Sequence, residues 1–516
     1  MPKTAFAVDP SGASNYYNAL QAAAQAALSG IIQGTLTPIQ AGSQGDFAYN
    51  FLNSNSAPPA FNLWSYNFTN ADITQGIYGN AAQVGTSGSF TTDFLQLVDQ
   101  IIYQFSIADS ATISDYSTKA QRQQSNVVQT WNGLYGSVTP GMISTAAEGG
   151  WLSPIPSQQT PFNYIVNYVI GGIWAGKTQA PGLSLSTMQN APSLSALLPN
   201  TPADGGPLIS ALSAYLDAYG PAAALTDQQN FGNFIIFSIK SALNPNPISH
   251  LLPASSSMTV FDPASGVTSM QPGYAIPKSQ QQIVNDLNNT SNVISMSIQV
   301  QESSSSQYDV SINEGTSFSF DGPLVTFNMS QSSSFNMENI QGAGDSLTIS
   351  ITYQGYSVVP FQPQAFTVSG PGGWYYPTLL AEAFANFQLG SNAPSGFNFV
   401  NPPALNLGEY PDGAFNMLSN LVISTYPTIK IEYTAGNYSM FSQNFSAQAS
   451  GQVKLFGFIP VGRASMSTYS SKLHEGSSNK NFSVTFSPPS PTNVPLFQQT
   501  ACVIGGVIAS PAQLPT

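Results

Sequence analysis

The residues between 281 and 516 change face at every step, and that period limits the fold more than any other feature of the chain. Ile294, Met296, Ile298 and Val300 alternate with Ser295, Ser297, Gln299 and Gln301. Successive side chains of a strand point to opposite faces, so this pattern describes a sheet with one apolar and one wet face. It recurs at 347–353, 453–459, 464–470 and 481–487; in the last, Phe482, Val484 and Phe486 alternate with Ser483, Thr485 and Ser487. Asp321-Gly322-Pro323, Asp412-Gly413 and Ala435-Gly436-Asn437 supply turn residues between the runs. One segment, 377–389, breaks the alternation: Pro377 fits a first helical position, and Leu380, Ala383, Phe384 and Phe387 share a helical stripe.

The residues before 244 follow a helical period. Residues 14–33 are Ala-rich behind Ser14, a good N-cap. In 92–106, Phe94, Leu97, Val98, Ile101, Ile102 and Phe105 form one stripe, and 113–135 repeats Tyr116, Ala120, Val127, Trp131 and Leu134. Joined near 107–113, these two predict an αα-hairpin. Further helices are predicted over 207–224 and 227–243, with a Pro/Gly/Ser-rich loop over 178–206. The expected fold class is therefore α+β: a helix-rich domain over 1–243, a Pro/Ser-rich connector over 244–280, and an antiparallel, sandwich-like β domain over 281–516 with one inserted helix near 377–389.

The wet face needs polar residues, and here composition becomes decisive. Only 7% of the chain is charged, with 11 Lys and Arg against 24 Asp and Glu. An ordinary domain carries roughly 25%. Ser, Thr, Asn, Gln and Gly take the place of the missing charges. A nucleic-acid partner is excluded on this count, because phosphate binding needs several cations on one face. One stretch departs from the rest: 430–480 holds Lys430, Lys454, Arg463, Lys472 and Lys480 against Glu432 and Glu475. Lys454, Arg463, Lys472 and Lys480 are the candidate cationic patch.

Residues that carry chemistry are few. The single cysteine, Cys502, excludes an internal disulfide and a thiolate metal centre. His250 and His474 are the two imidazoles, far apart in sequence. No phosphate-binding loop, nucleophile elbow or calcium loop is present, so no cofactor or metal is expected. Glycoside hydrolysis needs only two carboxylates. Glu382, Glu409, Asp412 and Glu432 share a region with Trp374, Tyr375, Tyr376 and Tyr410, which are the candidate sugar or surface contacts.

The N-terminal sequence lacks the apolar run of a secretory signal. The longest apolar stretches, such as 165–174 and 501–509, fall short of the ~20 residues of a membrane-spanning helix. The composition fits an extracellular or particle-associated protein. Three non-enzymatic functions follow from these features. The leading one is self-association into an ordered assembly of copies. The second is a membrane-active, pore-forming protein, with 293–301 and 308–329 as membrane hairpins. The third is a carbohydrate-binding module.

Overall fold

The computed structural model describes residues 10–40, 46–53, 60–150, 152–170, 205–243, 257–304, 307–313, 316–329, 334–368, 372–445, 450–456, 459–461, 468–489 and 494–511. The fold is mixed α+β, with helices concentrated in the N-terminal half and a large antiparallel sheet in the C-terminal half. The chain divides into two compact units. One contains Met1–Ile101, Ile236–Phe384 and Phe399–Thr516; the other contains Ile102–Ile235 and Ala385–Asn398.

The large sheet of the first unit is built as its alternation dictates. Among the described residues it has 11 strands. Val293–Ser304 pairs on one side with Gln307–Ile312 and on the other with Ser346–Gln354, followed by Thr428–Tyr433, Asn481–Ser487 and Tyr469–Ser478. The register stacks apolar residues into one continuous rung: Ile312, Ile298, Ile349, Ile431, Val484 and Leu473. A one-residue slip would turn every member of that rung to the opposite face, so burial itself locks the register.

Helix Pro10–Ala27 completes this core. Its Ala13, Tyr16, Tyr17, Leu20 and Ala24 are buried with the inner face of the sheet. The Tyr16 and Tyr353 hydroxyls pair at 2.8 Å, and Tyr16 meets Phe456 edge-on at 6.2 Å between ring centres. Gly12 sits against the Phe320 ring, where an added Cβ would come within 2.9 Å. Of the stretches 293–301 and 308–329, Ile294, Met296, Ile298, Val300, Val310, Ile312, Phe320, Leu324, Val325 and Phe327 are buried here too, whereas Val293 is exposed. Among the described residues, no helix is long and apolar enough to cross a membrane.

Among the described residues, a five-stranded sheet in the same unit joins distant parts of the chain. Leu36–Pro38 pairs with Thr500–Ala509, which pairs with Met417–Ser424 and then Tyr356–Pro360; Phe47–Ala48 also pairs with Thr500–Ala509. The apolar run at 501–509 is thus a buried strand. A Cβ at Gly505 would lie 2.6 Å from the Thr37 carbonyl oxygen, so the small residue permits that pairing.

Several local expectations change. The helix expected over 92–106 spans Phe90–Asp99 and is followed by strand Ile101–Gln104, which pairs with Gly396–Phe399. Its cap is Ser89, whose Oγ accepts from the Thr92 N–H. Tertiary pairing outcompetes continuation of the helix, so the expected αα-hairpin is replaced. The helices expected over 207–224 and 227–243 are one helix, Gly206–Leu243, with Pro221 inside it. The alternation at 453–459 is split: strand Ser450–Leu455 ends before Phe456, whose φ is 50°, and Ile459–Pro460 turns back to pair with it. Residues 257–275, within the expected connector, form strands Ser257–Phe261, Thr268–Pro272 and Tyr274–Ala275. Helix Pro377–Leu389 interrupts the sheet-forming residues.

The core of the second unit is helical. Val127 and Trp131 of Ile107–Tyr135 share a core with Phe162 and Ile165 of Pro161–Ile170 and with Leu208 and Leu212. Most of residues 178–206, the Pro-rich run 244–256, His250, residues 464–467 and Arg463 lie outside the described residues.

Candidate functional site: an uncharged polar sheet face

The residues that alternate with the core form the opposite surface of the large sheet. Register places them in transverse rungs. The first runs Ser317, Ser311, Gln299, Thr348, Glu432, Ser483 and His474 across seven strands. A second runs Ser297, Ser350, Lys430, Thr485 and Lys472. A third runs Ser319, Asp309, Gln301 and Ser346. Neighbouring strands are about 4.8 Å apart and alternate residues along a strand about 6.6 Å, so hydroxyls and amides repeat in two dimensions.

These rungs are nearly without net charge. Lys430 and Glu432 neutralise each other at 2.6 Å. Ser319 Oγ donates to Asp309 Oδ1 at 3.1 Å, and the Ser346 and Thr434 hydroxyls pair at 2.8 Å. A shallow depression of about 600 Å³ opens on the face, lined by Gln299, Gln301, Asp309, Ser317 and Thr348, with Phe318 at its wall. The arrangement offers many hydrogen-bond donors and acceptors whose desolvation costs far less than that of ions.

Of the candidate cationic residues, Lys454 and Lys472, both described, lie apart. Lys472 is exposed on the polar face, one strand from Thr485 and two from Lys430. Lys454 is half-buried opposite Thr326. The pairing of Ser450 with Ser470 puts Lys454 and Lys472 on opposite sides of that point, six residues apart along the strands, or about 20 Å. Lys480 is exposed between Tyr469–Ser478 and Asn481–Ser487.

Of the candidate sugar contacts, Trp374 and Tyr375 stay together, within an aromatic cluster. Trp374 is 0% exposed and packs with Phe90, Phe94, Tyr274 and Tyr375, with its indole N–H donating to the Gly273 carbonyl at 2.8 Å. It is a core residue and presents no face to a ligand. Tyr375 is half-buried in the same cluster, and burial pushes its hydroxyl up to about 12. Tyr376 is half-buried against Phe366. Tyr410 is half-buried, its hydroxyl also raised to about 12 by burial. Of the carboxylates, Glu432 is ion-paired on the sheet, Glu382 is on helix Pro377–Leu389, and Glu409 and Asp412 are exposed in the loop before Met417–Ser424. Among the described residues no group of His, Cys, Asp and Glu could hold a metal ion.

Two acidic groups with altered titration were not legible as such in the sequence. Glu338 is buried, and its two carboxylate oxygens accept the backbone N–H groups of Leu324 at 3.0 Å and Val325 at 3.3 Å. Burial raises its pKa from an ordinary 4.5 to about 7, against the pull of those donors. Asp93, in the first turn of Phe90–Asp99, is raised to about 6 by burial and then by the nearby Asp72. The only sequence signal for Glu338 is a lone acid among apolar and amide neighbours. Comparison of the chain with protein-family models, with curated proteins and with solved structures finds no match.

Proposed function

We propose that this is a non-enzymatic interaction protein that packs against other copies of itself through the polar face of its large sheet. The observation that carries this reading is the rung pattern. Hydroxyl and amide groups repeat across seven strands, and the charges among them balance as two lysines against two carboxylates. Copies that approach face to face desolvate few ions, and depletion of charge is the compositional mark of interface cores.

Two measurements test it. Light scattering of the wild type across a concentration series should show reversible association. That association should change less than about two-fold between low and high salt, because little charge is there to screen. Ser295→Lys with Gln299→Lys should weaken association at least ten-fold while the circular dichroism spectrum is retained. Both positions are exposed and face uncharged Thr352 and Thr348. A strictly monomeric wild type, or an assembly indifferent to the two lysines, overturns the reading.

The depression of about 600 Å³ supports a second reading, binding of an uncharged, hydroxyl-rich glycan to the same face. Binding on a glycan array that is lost in Gln299→Lys supports it; silence on the array removes it.

A further inference from the structure

The first unit contains a second concavity away from the polar rungs, with the opposite chemistry. It occupies about 440 Å³ between helix Gln280–Leu287, the Thr425–Tyr426 turn, Pro488–Pro489 and the start of strand Thr500–Ala509. Sites for small organic ligands commonly occupy about 300–1,000 Å³ and are mostly apolar with a few placed polar groups. Val284, Leu287, Val494, Leu496 and Ala501 supply apolar wall, and Tyr49, Tyr426, Pro488 and Pro489 supply flat ring surfaces. Among the described residues that line it, none is Lys, Arg, His, Asp or Glu.

The hydrogen-bond directions narrow the ligand. The Tyr49 hydroxyl donates to Gln499 Oε1 at 2.7 Å. The Tyr426 hydroxyl donates to the buried Asp46 Oδ2 at 2.5 Å, so its 2.7 Å contact with Thr500 Oγ1 is one in which the threonine donates. The fourth lining hydroxyl, that of Thr425, donates to the Gln354 carbonyl, so all four hydroxyl protons at the pocket are committed to protein acceptors; the carboxamides of Asn50, Asn288 and Gln499 complete its polar lining. The oxygens of Tyr49 and Thr500 are therefore left to a guest as acceptors; Gln499 holds the first in place and the Asp46–Tyr426–Thr500 chain holds the second. We propose that this pocket binds an uncharged, ring-containing, largely apolar small molecule that carries one N–H or O–H donor. A fixed anion has no cation to meet there. Rings gain from the tyrosine and proline faces, and a donor on the guest matches the Tyr49 and Thr500 hydroxyl oxygens.

The probe is N-phenyl-1-naphthylamine, two aromatic groups joined by one N–H, whose emission rises on leaving water. Titration of the full chain should give a saturable one-to-one rise. Val284→Trp places a large ring in the pocket from a half-buried helix position and should reduce affinity at least ten-fold. The anionic counterpart, 8-anilino-1-naphthalenesulfonate, should bind at least ten-fold more weakly to the wild type. Leu496 is 70% exposed at the mouth, so Leu496→Arg tests the charge argument without touching the core. It should narrow the gap between the two probes several-fold. Ser295→Lys with Gln299→Lys should leave the probe affinity unchanged, which separates this site from the self-packing face. Emission that does not saturate, equal binding of the two probes to the wild type, or indifference to both Val284→Trp and Leu496→Arg overturns the assignment.

Discussion

Trp374→Ala is expected to lower stability by about 4 kcal/mol, read as a shift of the urea unfolding midpoint by circular dichroism. The indole is fully buried among Phe90, Phe94, Tyr274 and Tyr375, with ring centres 5.3–6.1 Å away. Truncation removes that contact and leaves a cavity whose rigid aromatic walls cannot collapse into it. It also removes one of the two donors to the Gly273 carbonyl, the other being the Gln364 N–H. Trp374→Phe keeps most of the ring and loses the indole donor, while the Gly273 carbonyl retains the Gln364 N–H at 3.0 Å, so about 1 kcal/mol is expected from the lost hydrogen bond. A Trp374→Ala protein with an unchanged midpoint would mean that the ring is not enclosed, and would reopen a ligand-contacting role for it.

The second large effect is a loss of stability with rising pH, from Glu338. Its folded-state pKa of about 7 lies above the ordinary 4.5 because burial penalises the carboxylate. Between those values the folded protein binds the proton that the unfolded chain has released. Folding is therefore favoured in full below pH 4.5, loses stability as pH rises toward 7, and levels off above it. The interval corresponds to at most about 3 kcal/mol. Asp93, raised to about 6, titrates in the same direction, so the wild-type profile is a composite. Glu338→Gln isolates one contribution. An amide resembles the protonated acid, keeping one oxygen for the Leu324 or Val325 N–H. The difference between wild-type and Glu338→Gln unfolding free energies should change by 2–3 kcal/mol from pH 4.5 to 7.5, about two decades in the folding equilibrium. A difference that stays flat would show that the two backbone donors fully offset burial.

The glutamate also illustrates a limit of reading one chain. Its neighbours Met337 and Ile340 are buried, and Tyr433 donates to the Met337 carbonyl at 3.0 Å. Nothing within a few residues of Glu338 distinguishes it from an exposed acid in a turn. Its burial comes from Leu324 and Val325, more than a dozen residues earlier, and from Tyr433, about a hundred later. The same holds for Trp374. Aromatic residues close in sequence to carboxylates read equally well as a sugar platform or as a core, and only packing against Phe90 and Phe94 separates the two.

The sequence by itself determined the alternating strands at 293–301, 347–353 and 481–487 and which side of each is wet. Side-chain direction repeats every two residues in a strand, so Ile298 inward and Gln299 outward need no knowledge of partners. The uncharged character of the polar face was legible for the same reason: it is the alternation combined with a shortage of Lys, Arg, Asp and Glu. Tertiary structure alone decided which strands lie side by side. Leu36 meets Val507, and Lys454 and Lys472 run apart although both lie in the one cationic stretch. Those pairings are selected by burial of a shared core across loops of very different length. Loop closure entropy grows only slowly with length, so separation along the chain leaves almost no mark on which pairing wins.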